Sequence, residues 1–314
     1  MKQNRLILAF TLGIFAIFLA SATKLHAQSQ PKTLKRVIID PGHGGTDPGA
    51  NGKYSTEAEI SLEISLKLEE YIKASIPDVE VVLTRRKDIF NSVVEKAKIA
   101  NAAKGDLFIC IHTNSVDPRR NREIVGYTTK THYVKKKGKK RKVTSKVPLY
   151  KITYTPSSAR GTETFIYNVD KSNQRKELAS DAVDEVVEKL DSVSEKQINE
   201  LNQQNTNDPT RAMMASLLTQ QYFQRAASLA LTIEEEFKKA GRLSREAKQR
   251  QKGIWVLAAV QMPAVLVETG FISNPEDEEY LNSEDGQNQI CEVITKSLIR
   301  YKNSLENQKK SNAN

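Results

Sequence analysis

Arg36-Val37-Ile38-Ile39-Asp40-Pro41-Gly42-His43-Gly44-Gly45 is the stretch on which the reading of this chain turns. Its β-branched apolar run is too short for a helix and is stopped by Pro41-Gly42, which marks a short buried strand opening into a glycine-rich loop. Two further runs of the same character, Val79–Thr84 and Asp106–Ile111, follow at intervals. Between the first pair lies Glu57–Ala74. Ile60, Leu62, Ile64, Leu66 and Leu68 alternate there as a strand would, yet Ile60, Ile64, Leu68, Tyr71 and Ile72 also share one helix face. The length of the stretch and its Leu, Glu and Lys content decide for helix. Ser92–Ala103 is a second helix, stopped by Gly105. Strand, helix, strand, helix, strand predicts an α/β fold: a mostly parallel twisted sheet of about six strands with helices on both faces. Gly161–Tyr167, Ile254–Val260 and Pro263–Val267 supply the remaining strands, and Ala212–Ala240 and Ser283–Tyr301 two more helices.

The composition suits one such domain. The chain has 314 residues, 39% of them hydrophobic and 27% charged, which excludes wholesale disorder and fibrous repeats. Lys2 and Arg5 precede the apolar run Leu6–Ala20, with small residues after it, the order of a secretory signal. Cleavage is expected after Ala27, with Ala22 as the alternative. The expected organisation is therefore a signal at 1–27, a short polar leader at 28–34, one domain over 35–306 and a disordered tail at 307–314. That domain carries two insertions, a basic hairpin or loop near 116–160 and a helical segment near 169–216. The 15-residue run Leu6–Ala20 is short for a membrane span, and no other apolar stretch in the chain is long enough for one. Cys110 and Cys291 sit in apolar contexts and read as buried free thiols.

The net charge of +10 would suit a nucleic-acid partner, but it is not spread over the chain. Residues 119–160 hold 14 Lys and Arg against one acid, Glu123. This segment alternates Thr, Tyr and Val around the cluster Lys135–Lys142, which predicts a protruding β-hairpin with a charged tip. It reads either as a solvated loop or as a contact for an anionic polymer or membrane surface. No nucleic-acid-binding motif accompanies it, and nucleic acid is not expected as a partner.

In open parallel sheets, sites form beyond the carboxyl ends of the strands. Three strands here end in groups suited to metal chemistry: Asp40-Pro41-Gly42-His43, Ile111-His112-Thr113-Asn114 and Val267-Glu268-Thr269-Gly270. Two histidines and one carboxylate, Glu57 or Glu59, make an N/N/O set that suits zinc with an open position. Glu268 is placed to take a proton from an attacking water. From spacing alone, the plainer reading stays open: hydrogen-bonded loop histidines, with Glu268 capping the next turn.

Longer motifs go further. Val37–Ala50 resembles the opening motif of the zinc-dependent N-acetylmuramoyl-L-alanine amidases, of the amidase-3 type. Ile109–Ser115 is similar to their second histidine motif, and Pro263–Asn274 to their catalytic-glutamate motif. Leu83-Thr84-Arg85 and Ala100-Asn101 fit the spacing between them, and the likeness covers roughly 36–115, 160–168 and 217–304. The resemblance implies hydrolysis of the amide between N-acetylmuramic acid and L-alanine in peptidoglycan. It implies one Zn2+ held by His43, Glu57 and His112, with Glu268 as general base. Glu57 is preferred to Glu59 because the family places its ligand at the head of a Glu-x-x-(Ile/Val)-x-Leu run. Asn114, closing the second histidine motif, is the candidate substrate contact. Some relatives carry a helix that blocks the zinc site until a partner moves it. Residues 173–216 read either as such a gate, with an activator protein as the partner that relieves it, or as a surface excursion with no regulatory role. The periplasm is the expected location, with extracellular release as the alternative. The competing functions are an inactive wall-binding module of the same fold and a zinc peptidase acting on another amide.

Overall fold

The computed structural model describes residues 33–136, 139–155, 157–167, 209–250 and 254–311. The expected signal, most of the leader, the candidate gating segment as far as residue 208 and the last three residues lie outside them. The six strands of the main sheet are β1 (Arg36–Pro41), β2 (Glu80–Leu83), β3 (Leu107–Asn114), β6 (Thr162–Tyr167), β7 (Ser244–Arg250) and β8 (Ala264–Phe271), in the order β2-β1-β3-β8-β6-β7. β2, β1, β3 and β8 are mutually parallel; β6 runs antiparallel to β8, and β7 parallel to β6. The expected mostly parallel α/β sheet is what forms.

Alternation along the central strands assigns each side chain to a layer. Val37, Ile39, Ile109, Ile111, Val265 and Val267 face one side. Helices α1 (Glu57–Ser75), α3 (Pro209–Lys239) and α6 (Glu284–Ser311) cover that side with Ile64, Leu68, Ile233, Phe237, Ile294 and Leu298. Ile38, Phe108, Cys110 and Leu266 face the other, under α2 (Val93–Ala102) and the short α4 (Trp255–Ala259). Both cysteines are buried and free, as expected. Thr56 and Ser92 open α1 and α2 with capping boxes closed by Glu59 and Glu95.

Four expectations need correction. Ile254–Val260 is not a strand but contains α4, with Val256, Leu257 and Ala258 buried; a short apolar run buried on all sides looks the same in either conformation. The sixth strand is instead β7, a polar edge segment without apolar alternation. The tail does not begin at 307, because α6 continues to Ser311 and buries Tyr301 and Leu305. The leader is not wholly polar in role, since Leu34 is buried in the core. An additional helix, α5 (Pro275–Asn282), starts from an Asn274 cap with proline in its first turn.

The basic insert is a hairpin. β4 (Arg119–Lys136) and β5 (Lys139–Thr155) pair antiparallel from Arg119↔Thr155 to Lys136↔Lys139, with one irregularity between Ile124 and Gly126. Among the described residues, no helix is long and apolar enough to cross a membrane.

Candidate active site

The first histidine is delivered by the turn after β1. Gly42 N–H donates to the Ile111 carbonyl at 2.9 Å, which ties this turn to β3. His43 adopts φ 54°, a left-handed conformation costly for a side chain of its kind. Two glycines in the loop are needed for space. A Cβ on Gly42 would fall 2.6 Å from the His112 ring, and one on Gly49 would fall 2.7 Å from Glu57 Oε2. The loop is braced from below. Arg85, buried at the end of β2, donates to the Gly42 carbonyl at 2.7 Å and the Ala58 carbonyl at 2.8 Å. Lys96 of α2 donates to the Pro41 carbonyl at 2.8 Å and pairs with buried Asp40 at 3.1 Å.

Glu57 is the first residue of α1, where the positive end of the helix dipole favours a carboxylate. It is buried and fully engaged. Oε1 accepts from His112 Nδ1 at 2.7 Å and from the Thr113 N–H at 3.2 Å. Oε2 accepts from the Ala50 N–H at 2.9 Å and lies 3.2 Å from His43 Nε2. Burial alone would raise its pKa, but the His112 and His43 contacts hold it well below the usual carboxylate range. His43 shifts the other way. Burial opposes its charge, yet Glu57 and Asp47 raise its pKa to about 9. The ligand-capable atoms of His43, Glu57 and His112 all lie within 4.8 Å of one another, close enough to hold one metal ion. Glu59 is not part of it: its carboxylate is exposed and closes the capping box with Thr56.

Glu268 comes from β8, directly across from His112 on β3. It is 5% exposed, and its Oε2 has no hydrogen-bond partner among the described residues. Burial raises its pKa to about 7; His112 opposes the rise and Glu57 adds to it. Asn114 sits two residues past His112. Its Nδ2 donates to Glu163 Oε2 at 2.9 Å, and its Oδ1 accepts from the Ser115 N–H at 2.8 Å.

Three contributors were not singled out from the sequence. Asp47 contacts His43 Nδ1 at 2.8 Å, leaving Nε2 toward Glu57. A carboxylate four residues after a strand-end histidine is a signal that could have found it. Glu163, the partner of Glu268 across β6 and β8, accepts from Arg245 at 2.7 Å and Lys248 at 2.8 Å. Arg250 Nη1 lies 3.7 Å from Glu268 Oε1. These last two depend on β7, which no apolar pattern announces.

A sequence description of the N-acetylmuramoyl-L-alanine amidases matches residues 37–300. The chain belongs to the N-acetylmuramoyl-L-alanine amidase family. An inferred amidase of this kind from Buchnera aphidicola is 27% identical over 84% of this chain and 95% of its own length. The amidase AmiC of Escherichia coli O6:H1 is 26% identical over 84% of this chain, which spans only 52% of that protein. The crystal structure of an N-acetylmuramoyl-L-alanine amidase from Clostridium difficile 630 shares the fold. It superposes with a TM-score of 0.52 at 22% identity, covering 86% of this chain and 97% of that one. This amidase therefore acts on peptidoglycan, hydrolysing the amide between N-acetylmuramic acid and L-alanine. The expected enzyme class holds. The inactive wall-binding module and the peptidase of other amides are not the reading these likenesses favour.

Proposed function

We propose that the amidase is a zinc enzyme in which His43, Glu57 and His112 hold the ion and Glu268 is the general base. The observation that carries this reading is the convergence of two imidazoles and a buried carboxylate within 4.8 Å, with an unpartnered Glu268 oxygen on the adjacent strand. The donor set fits zinc: borderline nitrogen ligands with one hard oxygen and, among the described residues, no fourth protein ligand closing the group. A bound zinc would supply Lewis acidity to the scissile carbonyl and to the attacking water.

The chain's own residues do the rest. Asp47 holds the His43 tautomer that presents Nε2, and the Ala50 and Thr113 N–H groups fix the Glu57 carboxylate. Glu268 accepts the proton of the attacking water at Oε2 and passes it to the departing L-alanine nitrogen as the amide C–N bond breaks. Asn114 has one donor committed to Glu163; its remaining N–H is the group that would meet substrate. The signal-like leader supports export, with the periplasm as the compartment where a peptidoglycan amidase meets its polymer. A role in wall turnover or daughter-cell separation follows from that placement. A partner that relieves a gate over 173–216 belongs to the same reading.

The test is digestion of peptidoglycan by the chain from Gln28 onward, with and without a chelator, and identification of the products. Released stem peptides with a free L-alanine amino terminus, lost on chelation and restored by zinc, are expected. Cuts only within peptides, or binding without release by both this chain and one that also lacks residues 173–208, would overturn the proposal.

A further inference from the structure

The hairpin β4–β5 has two chemically different faces. β5 is regular from Lys139 to Thr155, so every second residue shares a side, and each cross-strand partner on β4 joins that side. Tyr150 and Tyr154 lie on one face directly. Tyr127 joins them through its partner Pro148, and Tyr133 through Lys142. All four tyrosines of the ribbon therefore occupy one face, and Tyr127, Tyr133 and Tyr154 are each more than 60% exposed. Arg120, Arg122, Lys142 and Lys146 interleave with them on that face, and Arg122 stacks over the Tyr150 ring at 3.8 Å. The single acid of the segment, Glu123, pairs with Lys151 on the opposite face. The tyrosine face thus carries no negative charge.

The ribbon is also rooted at the site. β3 delivers His112 and leads into β4, and β5 leads into β6, where Glu163 lies across from Glu268. Its aromatic and basic positions run from the Arg120–Tyr154 pair outward to the Lys135–Lys140 pair. At about 3.3 Å per residue that is a strip of roughly 45 Å. A membrane anchor would concentrate its rings at the tip. Here the described residues on either side of the tip, Lys135 and Lys139-Lys140-Arg141-Lys142, are basic and the rings are spread along the ribbon. A linear, carboxylate-bearing polymer with flat sugar faces matches both features: rings to stack on, cations to pair with.

We infer that the tyrosine face of this hairpin is a binding strip for the peptidoglycan strand itself, holding substrate beyond the reacting residue. The partner rests on the amidase reading; the face asymmetry does not.

The full chain is tested by co-sedimentation with sacculi and, separately, with anionic lipid vesicles. One variant replaces Arg120, Arg122, Lys142 and Lys146 with Gln. A charge-matched control replaces Lys130, Lys139, Arg141 and Lys151, all on the other face. A third replaces the four tyrosines with Thr at unchanged charge. Sacculus affinity should fall about tenfold or more in the first and third variants and by less than about threefold in the control. Hydrolysis of a small soluble muramyl-peptide should be unchanged in all three, which also reports that the body is folded. Equal losses from the two charge variants, or no loss from the tyrosine variant, would overturn the proposal. So would binding to vesicles in place of sacculi. If neither the unmodified chain nor one lacking residues 173–208 cleaves the soluble fragment, the zinc-amidase mechanism fails, while the sedimentation still decides the strip.

Discussion

Glu268 combines a buried position, an unpartnered oxygen and a pKa raised to about 7, which together describe a carboxylate able to take and return a proton near neutrality. Replacing it with Gln preserves shape and removes the proton acceptor. Turnover should fall by about 10²–10⁴-fold, while zinc content by elemental analysis stays at one per chain. Loss of zinc in this variant would make Glu268 a ligand. Glu163 offers a second test, through stability. Burial would raise its pKa, but Lys248 and Arg245 hold it below the ordinary value. A depressed folded pKa means the stabilisation is complete above the unfolded-state pKa of about 4.3 and is lost as the pH falls through the lower, folded value. Glu163→Gln should therefore lower stability by about 1–2 kcal/mol at pH 7, the cations being partly exposed. The melting-temperature gap to the unmodified chain should close in acid, and a pH-independent gap would refute the charge argument. At this scale the sequence was most legible. His43, His112 and Glu268 stand at strand ends, where the fold class alone directs attention. Spacing alone left Glu57 and Glu59 both open, because both carboxylates occupy the first turn of α1; the family resemblance chose Glu57, and the capping box that engages Glu59 gives the physical reason.

Helix α1 matters less for its length than for where it begins. Thr56 receives the Glu59 N–H and returns its own N–H to Glu59, so the register of the first turn, and with it Glu57, is set by one capping box. Thr56→Ala should cost about 1 kcal/mol of stability and weaken zinc retention several-fold in a chelator competition, with Thr56→Ser restoring both. Unchanged retention in the alanine variant would show that the core face of α1 places Glu57 unaided. β1, β3 and α3, whose apolar pattern was clear, could be read from the chain, and α1 could be read by its length and its Leu, Glu and Lys content. β7 could not: Ser244-Arg245-Glu246-Ala247-Lys248-Gln249-Arg250 is an edge strand held by backbone pairing to β6, and Glu246 breaks its regularity with φ 75°. Ile254–Val260 failed in the opposite direction, being apolar enough for either conformation and settled as helix only by packing among α2, β6 and β8.

On the scale of the molecule, His43, Glu57 and His112 meet at one end of the sheet and the two cores lie behind them. Removing zinc should abolish hydrolysis while the far-UV spectrum stays native, because the sheet and its two apolar cores hold the fold without help from the site. The melting temperature should drop in proportion to the lost binding energy and recover with added zinc. Collapse of the spectrum on chelation would make the ion structural. The reversal of β6 against β8 has a consequence for how such a chain can be altered. β3 finishes and β6 starts at the same rim, and the Asn114–Glu163 bond at 2.9 Å fastens the two ends together. Whatever lies between them is a cassette: no strand need be re-threaded when it lengthens, shortens or is exchanged, and closure entropy grows only slowly with its size. Replacing residues 117–159 with a short turn should leave a folded, metal-binding hydrolase. The same port would then accept a ribbon with a different polymer preference.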